Sequence, residues 1–377
     1  MRILTSAETF QPADGITMST LQLSRSLAAA GHDLVLLHRE GGPLEQEYRR
    51  FTGDLYRVPS FHLRRESAWR DLARLPPAVM AAWRADVDVI YGQRAEQIVW
   101  ALAASLGGLG RPLRRRTPLV LHLRHHPAGI GLGLLSRGVT RFIAVSQYVR
   151  REWIAAGVRP EAIEVVPNGI DPAEYPYGGS VERAAARRRL GLPPDAFVAL
   201  YYGRVEPVKG MGTLLQAWRT VRAAHPDAVL VVQGACLVHR DPAGYLARLR
   251  AGAPDGVLWL PEARDVVSPL HASDVAVLPA HWSEPFGRVV IETMSTGRPV
   301  LASRVGGIPE ILTGEFDRFL VPPADPDRLA AALLGLVGWP DREPALGKAC
   351  REHVETSFTL ATTAVQVESV LRRAGAG

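Results

Sequence analysis

Lys209 is one of only two lysines in a chain with 42 arginines, and it stands five residues after Arg204 on a segment bounded by Gly203 and Gly210. The segment follows an apolar run at 198–202 and precedes a helical pattern that starts near Met211. Two cations on a glycine-bounded strand-to-helix turn suit a diphosphate: the guanidinium grips phosphate oxygens in pairs and the ammonium adds a point charge. The amides of a helix start add partial positive charge. Taken alone, the same letters fit a solvated surface pair equally well. A second cluster holds Glu284, Pro285, Phe286, Gly287 and Glu292, between an apolar run at 275–278 and a helix ending at Gly297. Pro285 and Gly287 shape a loop at a helix start, Glu284 projects from it, and Glu292 lies about a turn and a half into the helix. Carboxylates at two depths can accept hydrogen bonds from two sets of hydroxyls, for which sugar and ribose are natural sources. A third cluster, Gly306 and Gly307 ahead of Pro309, offers amides that can bind phosphate or form a plain tight turn.

These clusters need a scaffold of strands and helices. Short apolar runs at 198–202, 229–233, 257–260, 275–278 and 300–303 alternate with helical stretches, the pattern of a parallel sheet covered on both faces. The same alternation runs through the first half. An apolar strand at Ile3 and Leu4 leads to a loop with Asp14 and Gly15, then to a helix carrying Leu23, Leu27 and Ala30 that stops at Gly31, and then to a strand at 34–37. Further strands are expected at 87–91, 119–123 and 142–146. The expected division is an acceptor-binding lobe at 1–171, a donor-binding lobe at 172–358 and a closing amphipathic helix within 359–377 that packs back on the first lobe. Residues 172–194, rich in Pro, Gly and Arg, read as a connection followed by a charged helix.

Composition narrows the class. At 377 residues, 47% apolar and 22% charged, the chain can bury two cores and has no low-complexity tract. Its two cysteines, Cys236 and Cys350, show no ligand or disulfide spacing, so neither a zinc site nor a disulfide framework is expected. The start of the sequence lacks a signal-peptide pattern, and no apolar run reaches the roughly 18 to 20 residues of a spanning helix, so a cytoplasmic location is expected. The apolar run 98–110 beside Arg111, Arg114, Arg115 and Arg116 reads as a core helix ending in a solvated loop, with peripheral contact with the inner face of an anionic membrane as the alternative. Most of the net charge of +6 lies in the first 177 residues, without interleaved aromatics, so nucleic acid is not an expected partner.

In their order the clusters resemble the family 4 retaining glycosyltransferases of the GT-B fold, whose two Rossmann-like doubly wound lobes face each other across a cleft. The resemblance runs from the strand at 2–5 through Asn168, Gly169, Ile170 and Asp171 to Gly203–Arg204, Lys209–Gly210, Glu284 and Glu292 with seven residues between them, and Gly306–Gly307. It implies transfer of a hexosyl or N-acetylhexosaminyl group from a UDP- or GDP-linked donor to an acceptor hydroxyl, with retention, without metal and without a further cofactor. The acceptor would be a lipid or cell-envelope glycan, or a small polar natural-product aglycone. Arg204 and Lys209 would neutralise the diphosphate, Glu292 would bind the ribose and Glu284 the far edge of the sugar, with amides near Phe286 and Gly287 completing the pocket. The loop at Gly15 would approach the phosphates or the acceptor, and Asp14 stands where the family often has glycine.

The family's histidine beyond a first-lobe strand falls on Arg124 by spacing from Pro118, flanked by His122, His125 and His126. One of these four is expected to contact the sugar or acceptor, with His122 and His125 the foremost candidates for catalysis beside Glu284. Alternation along a strand puts His122, Arg124 and His126 on one face. A sugar-nucleotide epimerase on the same fold and a non-catalytic nucleotide-sugar-binding protein are the rival readings. A pyridoxal-dependent phosphorylase lacks a suitably placed lysine, and a dinucleotide oxidoreductase lacks the glycine fingerprint in its first turn.

Overall fold

Apolar runs too short for helices and uninterrupted by polar residues fold as strands buried on both faces. The computed structural model describes residues 1–11, 15–61, 68–107, 116–127, 132–236, 241–263 and 265–376. The chain divides into two units, Met1–Gly169 together with Leu360–Gly377, and Ile170–Thr359.

The first unit holds β1 (Arg2–Thr9), β2 (Asp33–Glu40), β3 (Asp54–Arg57), β4 (Val89–Gly92), β5 (Leu119–Leu123), β6 (Arg141–Ala144) and β7 (Ile163–Val165). They form one parallel sheet in the order β3-β2-β1-β4-β5-β6-β7, with Ile3 in register with Leu34 on one side and Val89 on the other. The second unit holds β8 (Val198–Tyr202), β9 (Val229–Gln233), β10 (Val257–Leu260), β11 (Val275–Leu278), β12 (Val300–Ser303) and β13 (Leu320–Val321), in the order β10-β9-β8-β11-β12-β13, again parallel. Each sheet is therefore doubly wound, and its order reverses beside its first strand, between β1 and β4 and between β8 and β11. Loops leaving the carboxyl ends of two such strands diverge and leave a crevice for ligand.

β8 to β12 occupy the residues that their apolar runs mark. Three strands carry no such run: β3, β7 and β13. All three lie at sheet edges, where a strand needs only one partner and can be short and polar, as Asp54-Leu-Tyr-Arg57 is.

The last helix, Leu360–Gly375, buries Val367, Val370, Leu371 and Ala374 against Ile3, Leu23, Leu27 and Val166 of the first unit. Thr363 Oγ1 donates to the Pro167 carbonyl at 2.9 Å, and His32 Nε2 meets Glu368 Oε1 at 3.0 Å. The first part of the apolar run that starts at 98 is a core element: the helix Ile98–Ser105 buries Ile98, Trp100, Ala101 and Ala104, while Leu106 after it is exposed. Arg111, Arg114 and Arg115 lie outside the described residues. The charged helix at Ser180–Leu190 is mostly exposed but buries Ala186 and Arg187. Arg187, 2% exposed, spans the carbonyls of Ala272, Pro194 and Ala196 and pairs with Asp274 at 2.9 Å, so a buried cation is bonded on every side. No helix among the described residues is long and apolar enough to cross a membrane.

Candidate functional site

β8 ends at Tyr202, and the chain turns through Gly203 and Arg204 into a single 3-10 turn, Pro207–Lys209, before the helix Met211–Ala224. The Arg204 carbonyl is fixed by the Tyr201 hydroxyl at 2.5 Å, and Val205 N–H donates to the Ala235 carbonyl at 2.8 Å. The Arg204 guanidinium remains about half exposed and meets Glu206 Oε1 at 3.1 Å. An exposed ion pair of that kind contributes little stability and exchanges readily for a better anion.

Lys209 is different, because its ammonium is paired with the Glu284 carboxylate and both side chains are 13% exposed. The 3-10 turn and the segment after β11 are tied together by their backbones: the amides of His281 and Trp282 both donate to the Val208 carbonyl, at 2.9 and 3.2 Å. This close approach requires Gly210, with φ of 76°, whose missing Cβ would stand 1.7 Å from the Pro279 carbonyl oxygen. Gly306 does the same for Glu284. At φ of 58° a Cβ there would lie 2.0 Å from the Glu284 carbonyl oxygen, which accepts from Gly307 N–H at 2.8 Å. Gly306 and Gly307 thus form the floor beneath the Glu284 loop, and the helical turn after them is a 3-10 turn, Ile308–Glu310. Phe286 is buried and packs edge-on against Phe358 at 6.0 Å, anchoring the loop from below while Pro285 and Gly287 bracket it.

Glu292 is buried inside the helix Arg288–Ser295 rather than exposed on it. Its Oε2 accepts from the Tyr202 hydroxyl at 2.7 Å and its Oε1 from Arg288, four residues earlier, at 3.0 Å. Burial, and then the Glu292 charge, push the Tyr202 phenol well above its ordinary range, so it stays a donor to the carboxylate. Burial opposes the Arg288 charge, but Glu292 and Tyr175 outweigh it and raise its pKa, so the guanidinium stays charged. A carboxylate offers about four acceptor positions, so the three N–H and O–H donors here leave capacity for a ligand hydroxyl. Tyr202, Arg288 and Tyr175 were not marked by motif; the only sequence signals were the four-residue spacing of Arg288 to Glu292 and a tyrosine ending an apolar run.

Arg204, Lys209, Gly210, Glu284, Pro285, Phe286, Gly287, Gly306 and Gly307 therefore stand on loops leaving the carboxyl edge of one sheet after β8, β11 and β12, with Glu292 in the helix that follows the β11 loop and with β8 and β11 flanking the reversal. Two cations and two carboxylates on this edge suit a ligand with phosphates in one part and hydroxyls in another.

In the first unit the outcome differs residue by residue. His122, within β5, is 0% exposed; its Nδ1 meets the Tyr91 hydroxyl at 2.6 Å and the Arg124 guanidinium at 3.2 Å. Burial and the neighbouring Arg124 charge hold its pKa well below 6.5, which keeps it neutral. A side chain with no accessible surface cannot touch a substrate, so the expectation of a catalytic contact at His122 is corrected to a core role. Arg124 is 5% exposed and donates to the Ile16 carbonyl at 3.2 Å and Thr20 Oγ1 at 3.1 Å, which spends its guanidinium on holding the helix Gly15–Ala29 against β5. His125 is half-buried just beyond the strand, its Nε2 3.2 Å from Arg94 and its carbonyl accepting from the Trp153 indole at 2.9 Å. His126 lies 3.6 Å from Glu152. Gly15 opens its helix, and Asp14 lies outside the described residues.

With two doubly wound units and an anion-and-hydroxyl site on the second, the chain has the build of a two-lobed sugar-transferring enzyme, and its likenesses agree. Residues 182–353 match the model of "Glycosyl transferases group 1" and residues 13–174 that of "Glycosyltransferase Family 4". The chain belongs to these glycosyltransferases. It is 36% identical over 198 residues to a D-inositol 3-phosphate glycosyltransferase of Segniliparus rotundus, covering 52% of this chain and 43% of that one. It is 29% identical over 236 residues to a GDP-mannose-dependent monoacylated alpha-(1-6)-phosphatidylinositol monomannoside mannosyltransferase of Corynebacterium glutamicum, covering 60% of this chain and 61% of that one. The chain spans about half the length of the curated relatives it matches. Among solved structures it is similar to Anabaena HepE in complex with UDP and glucose, with a TM-score of 0.81, 23% identity and 99% of each chain covered. At that identity the likeness establishes the fold, which is GT-B.

Proposed function

We propose that the chain transfers a hexosyl or N-acetylhexosaminyl group from a nucleoside diphosphate sugar to an acceptor hydroxyl, with retention, and that its own cations rather than a metal stabilise the leaving diphosphate. The observation that carries this reading is the Lys209–Glu284 pair, set on loops locked by Gly210 and Gly306 beside the buried Glu292. A donor entering the crevice gives Lys209 a phosphate and Glu284 sugar hydroxyls, so both partners exchange one charge-assisted contact for another. Negative charge grows on the diphosphate as the glycosidic bond breaks, and fixed cations stabilise that charge without reorganising. Glu292, already oriented by Tyr202 and Arg288, accepts from the ribose. In a front-face reaction the departing phosphate takes the acceptor proton, so no protein base is required. His125 and His126, just beyond β5, keep accessible surface, and His125, the foremost of them by motif, is assigned to the sugar or acceptor.

The names of the relatives make hydroxyl-rich, phosphate-bearing acceptors of the inositol type the first to test, within the wider set of lipid-linked glycans and small polar aglycones. The donor test uses calorimetric titration with UDP, GDP and their sugars. One of the two nucleotides should bind, and Lys209→Ala should weaken it about tenfold to a hundredfold, the worth of a charge-assisted hydrogen bond. Absence of binding by either nucleotide, or unchanged affinity in Lys209→Ala, would sink the reading.

A further inference from the structure

The helix Ala68–Arg74 is inside out. Its one acid, Asp71, is 9% exposed, whereas Trp69 is 86% and Leu72 49% exposed, with Ala73 open to solvent beside them. After a bend at the buried Leu75, the helix Pro76–Ala85 continues the same spacing, with Pro76 exposed and Met80 43% exposed. Positions 69, 72 and 73 fall on one face of the first helix, and 76 and 80, one turn apart, on one face of the second. The exposed face is not a misplaced core stripe. The second helix buries a separate set, Ala78, Val79, Ala82 and Ala85, and its Trp83 indole donates to the Ala104 carbonyl at 3.2 Å, which fixes which side faces in.

Arg70 and Arg74 stand exposed one turn apart on the first helix, and no carboxylate of that helix shares the surface, since Asp71 points inward. An outward tryptophan and leucine flanked by arginines, with the acid removed to the interior, complement an interface that is apolar beneath and negatively charged above. We propose that this face seats the first unit on an anionic lipid surface, with Trp69 and Leu72 entering the headgroup boundary and Arg70 and Arg74 binding lipid phosphates. The inference goes beyond the donor chemistry and does not depend on it. It also places the lipid-facing surface elsewhere than the helix Ile98–Ser105, whose Ile98, Trp100, Ala101 and Ala104 are buried.

The test is co-sedimentation of the whole chain with phosphatidylcholine vesicles, with and without about a third phosphatidylglycerol, a content chosen to give a negative surface potential. The chain should pellet with the anionic vesicles, less so as salt rises, and remain in solution with phosphatidylcholine alone. Trp69→Ser with Leu72→Ser should lower partitioning about tenfold or more, and Arg70→Gln with Arg74→Gln about fivefold for each arginine. All four positions are exposed, so melting temperature and nucleotide affinity should not change in either variant; those readouts separate loss of the surface from loss of fold or of the donor site. Equal sedimentation with both vesicle types, or full binding by Trp69→Ser/Leu72→Ser, would overturn the proposal. So would a concentration-dependent dimer that this variant abolishes in the absence of vesicle binding, which would assign the face to a second copy of the chain.

Discussion

Replacing Gly210 by alanine adds one methyl group where two loops meet, and its cost can be worked from the geometry. The new Cβ would sit 1.7 Å from the Pro279 oxygen and 2.7 Å from its carbonyl carbon. Both are backbone atoms, so no side chain can swing aside, and the loops must part by about 1 Å or more. The left-handed conformation at φ of 76° adds about 1–2 kcal/mol for any residue with a Cβ, and displacing packed backbone adds about 1–3. The sum is about 2–5 kcal/mol. For a unit the size of Ile170–Thr359, each kcal/mol lowers the melting temperature by about 2–4 °C, so calorimetry should find a drop of about 4–20 °C. Pro279 leads into the amides that bond the Val208 carbonyl, so the same change should separate Lys209 from Glu284 and weaken nucleotide binding. Gly212, two residues on, supplies the control. It is helical, an added Cβ there meets nothing within 4 Å, and Gly212→Ala should stabilise by up to about 1 kcal/mol with nucleotide affinity unchanged. A Gly210→Ala protein melting within about 1 °C of the parent would refute the claim that close backbone approach holds the site together.

Two further expectations concern buried charge. Asp274→Ala leaves Arg187 enclosed without its carboxylate and removes the acceptor of Val198 N–H, so chemical denaturation should show a loss of about 3–5 kcal/mol; a loss below about 1 would mean that the surrounding carbonyls alone satisfy the guanidinium. The second is a pH slope. Burial lowers the pKa of His38, His122 and His271, with nearby Arg124 lowering His122 further, so as pH falls through about 6.5 the unfolded chain takes up protons that the folded chain refuses. Stability should therefore fall on acidification, by about 1.4 kcal/mol per pH unit for each such histidine, before carboxylates with depressed pKa such as Asp317 begin to protonate. His122→Asn, which keeps an acceptor near the Tyr91 hydroxyl, should flatten the melting-temperature slope between pH 5 and 6.5, and an unaltered slope would contradict a neutral buried His122.

Most of the scaffold was legible because parallel strands buried on both faces must be apolar throughout, as in Val198-Ala-Leu-Tyr-Tyr202 and Val275-Ala-Val-Leu278. β3, β7 and β13 escaped because an edge strand is defined by its partner rather than by its own letters. The charged helix Ser180–Leu190 was legible as a helix, but the burial of one of its arginines was not. A run of arginines looks solvated, and nothing local in the sequence shows that the Ala272, Pro194 and Ala196 carbonyls and the Asp274 carboxylate converge on one of them.

The donor-side cluster was legible for a different reason: its glycines and prolines are backbone requirements and leave a mark wherever loops approach closely. Gly210 and Gly306 are the clearest instances, since each is imposed by a carbonyl of another segment. The side chains that orient the carboxylates left no such mark. Tyr202 and Arg288 reach Glu292 from a strand end and from the preceding helical turn, positions where many residue types are tolerated, so only three-dimensional contact reveals them. β5 shows the converse limit. Period-two alternation correctly placed His122 and Arg124 on one side, but periodicity distinguishes faces and says nothing of which face is covered. Here the helix beginning at Gly15 covers it, through the contacts of Arg124 with Ile16 and Thr20.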